Sequence, residues 1–345
     1  MTQATTSYVH RSGIHSETAC QRNLLASAGH DVSEELIFGL DGGFGFSYFA
    51  ARGDAADIVV GKQGVMPLRA VRLLGVEVAA HAPKSPSGLA ALLDTAPAVM
   101  TRVDLGLLPH WGLEGRTSFG GYFVNVVRAD GDRFEVSDPA YPDPVTIDAE
   151  DLQAARSSKG SAPLNPDWRC YVFGAAQASV QLDRVGPVAV RTLCREVRKP
   201  GSRNLGIPAM KALSAAAETW PATKQGEVED VDLSGTVITV SALARQLLHV
   251  GRQIESFGTG GGLFRPVISR FLTSVGEATG GSQYDAAAEL FARSGEQWSE
   301  LGSRLLAESA AAGPGELAEL AHEVAVGVRA AADLEGRALA TLTTV

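Results

Sequence analysis

A chain of 345 residues, 45% of them apolar, has material for two ordinary hydrophobic cores, so two domains are expected. Its formal charge of −9 disfavours broad attraction to nucleic-acid phosphates or anionic membrane surfaces and favours a basic partner or a small molecule. Three scattered cysteines, Cys20, Cys170 and Cys194, make no disulfide framework and imply a reducing, cytoplasmic setting; residues 1–14 carry no signal-peptide core, and no apolar run approaches a membrane span.

Along the chain, Ser16 to Ala28 reads as a helix with Ala19, Cys20, Leu24 and Leu25 on one face and Gly29 placed to close it. Ser33 before Glu34 and Glu35 marks a second helix start. Gly39 to Ala50, GLDGGFGFSYFA, reads as a glycine-rich loop entering a strand. Ala98 to Leu107 reads as a strand with Asp104 near its end. Tyr122–Val127 and Phe134–Val136 then form a hairpin, for which Asp130-Gly131 supplies the turn. Ile147–Arg156 opens a helix. An early helix followed by an antiparallel sheet is the order of an α+β domain, expected over residues 1–178.

Residues 179–345 are alanine-rich and periodic at helical spacing, which predicts an all-helical second domain. Its helices are expected over Val188–Arg198, Pro208–Trp220, Ser241–Ser256, Phe264–Ala278, Tyr284–Ser309 and Glu316–Leu342. Between the third and fourth lies GTGGGLFR, Gly258–Arg265, read either as an anion cradle of free N–H groups or as a plain helix–helix turn. It lacks the Lys-Ser/Thr of a phosphate-binding loop. The seven histidines show no paired spacing, and neither CxxC nor HExxH occurs, so no metal site and no cofactor is expected. No Gly-x-Ser-x-Gly elbow is present either.

Gly13 to Phe49 carries the most specific signal. Gly13, His15, Ser33, Glu34, Phe38, Gly39, Leu40, Phe46 and Tyr48 stand in the frame Gly-x-His-Cys, helix, Ser-Glu, Phe-Gly-Leu-Gly, aromatic strand. In this the segment resembles the N-terminal domain of the butirosin biosynthesis protein H family. The second half resembles the helical domain that follows there, through Asn204-Leu205-Gly206, Trp220, GTGGGLFR and Trp298. The resemblance implies a papain-like, cysteine-transferase fold. It also implies acyl transfer from a carrier-protein thioester, by way of a cysteine, to a small-molecule amine acceptor in natural-product, antibiotic-type biosynthesis.

The nucleophile of that fold opens the first helix, where the positive helix end favours a thiolate, and here the position is Ser16. The partner histidine follows Gly-Gly at the hairpin, and here Gly120-Gly121 precede Tyr122. Asp138-Pro139 matches the orienting acid. A serine needs an adjacent base, and a tyrosine near neutral pH keeps its proton and is better suited to donate a hydrogen bond to a substrate oxygen.

Three readings follow. Chemistry survives with Ser16 as nucleophile or binding group, Tyr122 as donor and His15 or His110 as base. Alternatively Cys20, one helical turn beyond Ser16, replaces the missing thiol. In the third, the protein is a pseudoenzyme that binds a carrier protein or pathway intermediate without turning it over. The expected site comprises Ser16, Tyr122, Asp138 and His15, with Cys20, Asn125, His110, Phe46 and Arg265 on the substrate side, in a cleft between the domains. An acyl or peptidyl carrier protein is the expected donor, docking on Arg195, Arg198, Lys199 and Arg203, with Lys211 nearby, and a homodimer is among the expected assemblies.

Overall fold

The computed structural model describes residues 8–53, 55–62, 68–176, 181–231 and 235–343. It divides into two compact units: Met1–Ile37, Pro67–Val180 and Val231–Val237 in the first, and Phe38–Met66, Gln181–Asp230 and Ile238–Val345 in the second. One crossing lies close to the expected 178/179 boundary, yet the segment around the aromatic strand Phe44–Phe49 belongs with the second unit. The reason is burial: Phe46 and Tyr48 complete the core that Trp220, Leu247, Trp298 and Val324 build there.

The first unit is an α+β arrangement. Six antiparallel strands run in the spatial order Val76–His81, Cys170–Ala176, Val99–Val103, Tyr122–Asp130, Arg133–Ser137 and Val145–Asp148. Period-two alternation sorts the two faces. Val99, Val103, Val124, Val126, Phe134, Val136 and Ile147 pack with Leu89, Leu152 and Ala155, which come from helices Pro86–Leu93 and Ala149–Ser157. On the other face Asn125 donates to the carbonyl of Cys20, which ties helix Ser16–Ser27 to the sheet. That helix buries Ala19, Cys20, Leu24 and Leu25, the predicted face. It ends where predicted, because Gly29 takes φ +89 and the N–H of His30 returns to the carbonyl of Leu25. The hairpin closes between Asp130 and Arg133, which face each other in register.

The second unit is helical, with two additional two-stranded sheets that the alanine-rich pattern hides. Phe44–Phe49 pairs antiparallel with Ile58–Lys62, and Glu227–Val231 pairs with Val237–Ser241. The longer helices are Leu182–Arg198, Gly206–Ala217, Ala242–Glu255, Arg265–Thr279, Ser282–Glu308 and Pro314–Thr341. Five begin within two residues of expectation. The first starts six residues earlier than the sequence suggests and carries Pro187 inside it. Among the described residues no helix is long and apolar enough to cross a membrane.

Candidate functional site

Helix Ser16–Ser27 begins without a side-chain cap on His15, so something else must satisfy the approach to its first turn. Glu34 does so. Its carboxylate, 6% exposed, accepts the N–H groups of Ile14 (3.0 Å) and His15 (2.7 Å) and the Thr18 hydroxyl (3.1 Å), and it pairs with Arg22. The Ser-Glu of the sequence motif is thus the anchor of the helix start. A second tie, from the N–H of Gly13 to the carbonyl of Pro139 at 2.8 Å, brings this start beside the segment that carries Asp138.

Ser16 stands in the first position of the helix, partly exposed, and its Oγ accepts the N–H of Phe123 at 3.3 Å. Residue 122 is therefore one step along the chain from the group that holds the hydroxyl. The Tyr122 phenol donates to Asp138 Oδ1 at 2.6 Å. Asp138, fully buried, also accepts from its neighbour Ala140 N–H (3.0 Å), from Trp111 Nε1 (3.0 Å) and from His110 Nε2 (2.9 Å). Four donors converge on one carboxylate, which is how a buried charge is kept affordable.

Two consequences follow for proton transfer. Burial, followed by the Asp138 charge and the hydrogen bond to it, pushes the Tyr122 phenol far above its ordinary range, so it is no base. Its proton points at Asp138, which corrects the expectation that it donates to a substrate oxygen. His110, by contrast, must carry its proton on Nε2 to bond the carboxylate, and the neutral ring then has a lone pair on Nδ1. That nitrogen is buried and has no hydrogen-bond partner among the described residues. Tyr141, edge-on to the imidazole, donates to the His110 carbonyl at 2.8 Å and fixes the loop. Asp138 and His110 form an acid–imidazole pair whose imidazole lies on a 3₁₀ turn, Pro109–Trp111, and not on the hairpin strand where the resemblance puts the partner histidine.

The other expected site residues fall into different roles. Cys20 is 0% exposed, and burial together with the charges of Asp138 and Glu34 raises its thiol well above the ordinary value, so it is no substitute nucleophile or contact for substrate. Asn125, also 0% exposed, spends its amide on Tyr8 and the Cys20 carbonyl and acts as a structural tie. The His15 ring lies 3.2 Å from the Thr18 hydroxyl, within the turn it introduces. Phe46 stacks on Trp298 within the core of the second unit and touches no ligand space.

Arg265 is likewise a core residue. Its guanidinium, 0% exposed, forms a two-pronged pair with Glu335 at 2.8 and 3.0 Å, in a cage of Phe44, Phe46 and Trp298. Of the two readings of the glycine-rich loop before it, anion cradle or plain turn, the structure favours the turn, for Gly262 N–H donates to Glu255 of the chain itself. Arg195, Arg198, Lys199 and Arg203 are exposed around the end of helix Leu182–Arg198.

Sequence reasoning missed Trp111, whose indole shares Asp138 with His110, although the two are adjacent in LPHWG. It missed Ser137 too, which holds Tyr8 (2.8 Å) and His10 (2.7 Å). Among the described residues no three His, Cys, Asp or Glu side chains gather as metal ligands would.

The family model described as "Butirosin biosynthesis protein H, N-terminal" matches residues 15–139, and that described as "Domain of unknown function (DUF4872)" matches residues 150–342. A solved structure, the peptidase domain of Streptococcus ComA, described as a bi-functional ABC transporter involved in a quorum-sensing pathway, is similar at 14% identity with a TM-score of 0.32. The match covers 50% of this chain and 99% of that one. No curated protein matches.

Proposed function

The chain belongs to the butirosin biosynthesis protein H-like family, a family of antibiotic biosynthesis, and from that premise we propose that it transfers an acyl or aminoacyl group from a carrier-protein thioester to an amine. The observation that supports this most directly is the Asp138-bonded imidazole of His110 with an uncommitted Nδ1. In this reading Ser16 Oγ attacks the thioester carbonyl, its proton passes to His110, and the carrier thiol leaves with a proton. The acceptor amine then attacks the seryl ester, the new amide forms, and the Ser16 hydroxyl is restored. Asp138 holds the ring and offsets the imidazolium charge during each transfer. The exposed Arg195, Arg198, Lys199 and Arg203 would meet the acidic surface usual for carrier proteins.

A second reading, a non-catalytic binder of the carrier or intermediate, draws on the fact that a phenol stands where the base normally does and gives its proton to Asp138. Intact-mass measurement after incubation with acylated carrier protein separates the two. The transfer reading expects an adduct that is lost in Ser16→Ala and forms much more slowly in His110→Gln. The binding reading expects co-migration with the carrier and no mass change.

A further inference from the structure

A general base takes a proton only from a group within hydrogen-bond reach, and His110 is shut away. Its side chain is 12% exposed, Nε2 is engaged with Asp138, and Nδ1 is buried without a hydrogen-bond partner among the described residues. Something beside the imidazole must therefore move before a hydroxyl can meet that nitrogen. The ring that stands against it is Tyr141, edge-on with centroids 5.0 Å apart. Tyr141 is pinned at three places. Its N–H donates to the Asp138 carbonyl at 3.1 Å and its phenol to the His110 carbonyl at 2.8 Å. Its own carbonyl accepts from two donors, His10 Nε2 at 3.1 Å and Ser12 Oγ at 3.0 Å.

Those two donors belong to a strap. Residues 8–13 form neither helix nor strand and are tied at one end by the Val9 N–H on Ser27 Oγ (3.0 Å) and at the other by the Gly13 N–H on the Pro139 carbonyl (2.8 Å). The hydrogen directions between these ends follow from the chemistry of the groups. A carbonyl only accepts, so His10 carries a proton on Nε2, and in the neutral ring Nδ1 accepts the Ser137 hydroxyl at 2.7 Å. The Ser137 oxygen then accepts the Tyr8 phenol at 2.8 Å, and the phenol oxygen accepts Asn125 Nδ2 at 2.8 Å. Each hydroxyl gives once and receives once, so the chain runs unbroken from the buried Asn125 to Tyr141. The charges nearby are committed elsewhere: Arg11 to Asp31, Arg22 to Glu34, and Asp138 to its four donors. Val9, Arg11 and Ser12 are exposed, so the strap is held by directional bonds more than by apolar burial, and segments of that kind open ahead of the structure they lie on.

We propose that residues 8–13 are an autoinhibitory latch on the site: His10 and Ser12 hold Tyr141 against His110, and lifting the strap frees Tyr141 and opens the imidazole. The proposal rests on the acyl-transfer reading for its consequence in turnover and on the hydrogen bonds alone for the contact. A strap that instead aligned His110 for reaction would leave Nδ1 facing the hydroxyl it serves, and here that nitrogen is sealed.

Diethyl pyrocarbonate, which modifies a neutral and accessible imidazole nitrogen, reads the latch without any carrier protein. The full chain is treated at neutral pH, and the rate of modification at His110 is compared by peptide mass spectrometry with that at His81, which is exposed. His10→Phe keeps a ring and removes both bonds. Modification of His110 should become about tenfold faster, the factor by which loss of two ordinary hydrogen bonds shifts an opening equilibrium, with His81 unchanged. Ser12→Ala takes one donor from an exposed residue, so that chain folds whatever the first variant does, and the rate should rise about threefold. Tyr141→Phe cuts the tie to the His110 carbonyl, so adding His10→Phe to it should change little, both acting on one link. Formation of the Ser16 adduct with acylated carrier protein should quicken in His10→Phe along with the modification. Unchanged modification of His110 in both His10→Phe and Ser12→Ala overturns the latch. Faster modification with slower adduct formation overturns it too, since the strap is then an aligning brace. Faster modification with no adduct on any chain, the unaltered one included, upholds the latch and refutes the acyl-transfer reading.

Discussion

Replacing Asp138 by asparagine tests the central claim about the site, that one buried carboxylate organises it. Asparagine keeps a single oxygen where two oxygens accept from Tyr122, Ala140, Trp111 and His110 at 2.6, 3.0, 3.0 and 2.9 Å, and it turns an NH2 group toward donors. Two contacts are lost outright and the charge assistance of the others disappears. With each such bond worth roughly 1.5–3 kcal/mol, and with neighbouring terms that do not add fully, the first unit should lose about 3–5 kcal/mol. Native-state hydrogen exchange read by mass spectrometry on peptides spanning strands Tyr122–Asp130 and Arg133–Ser137 isolates that unit. Protection there should fall by roughly two to three orders of magnitude, since each 1.4 kcal/mol is a factor of ten. Tyr122→Phe removes one donor and leaves no unsatisfied group on the ring, so it should cost only about 1–2 kcal/mol and roughly tenfold in protection. If Asp138→Asn exchanges within twofold of the unaltered chain, the carboxylate is not the organiser and the role assigned to His110 goes with it.

Other outcomes are fixed by the same structure. Glu335→Leu leaves Arg265 buried without its partner and should destabilise the second unit by about 3–5 kcal/mol in denaturant titration, whereas converting the pair to two apolar residues should recover most of that loss. Burial holds the His249 imidazole down at about 4, below its ordinary 6.5, and its Nε2 accepts from Gln253 at 2.7 Å. The unfolded chain then takes up the proton first. Stability is full above about pH 6.5 and is lost as the pH falls toward 4, an effect that His249→Gln should remove from the pH dependence of unfolding. All three cysteines are buried and free, and burial raises their thiols, so iodoacetamide should label them in the native chain at least about a hundredfold more slowly than in urea.

What could be read from the sequence is what depends on short-range pattern. The apolar face Ala19, Cys20, Leu24, Leu25 fixes the first helix, and the Asp130-Gly131 signal fixes the hairpin that presents Tyr122 next to Asp138. The pairing of His110 with Asp138 spans 28 positions and depends on a 3₁₀ turn that no periodicity announces. The burial of Arg265 was hidden for a related reason, because its partner Glu335 sits 70 positions away toward the end of an alanine-rich helix and looks like a solvated charge. Long-range electrostatic partnerships, rather than elements, are what the linear pattern withholds.

The two departures at the site are best understood as one. A cysteine–histidine couple works as an ion pair, a thiolate beside an imidazolium, and each charge justifies the other. Here burial first, then the charges of Asp138, Glu34 and Glu17 against the opposing pull of Arg22, pushes the Cys20 thiol upward, and Glu34 occupies the N–H groups just ahead of the helix start. Such a field opposes a standing thiolate near the first turn. A hydroxyl at position 16 stays neutral and pays nothing for it. Once the anion is gone, an imidazolium on the hairpin strand would have only Asp138 to face, and a neutral phenol can fill that place while still giving Asp138 a donor at 2.6 Å. The imidazole hydrogen-bonded to the same carboxylate is the one on the Pro109–Trp111 turn. Tyr122 and His110 share Asp138, one on each of its oxygens, so exchanging either side chain changes the setting of the other.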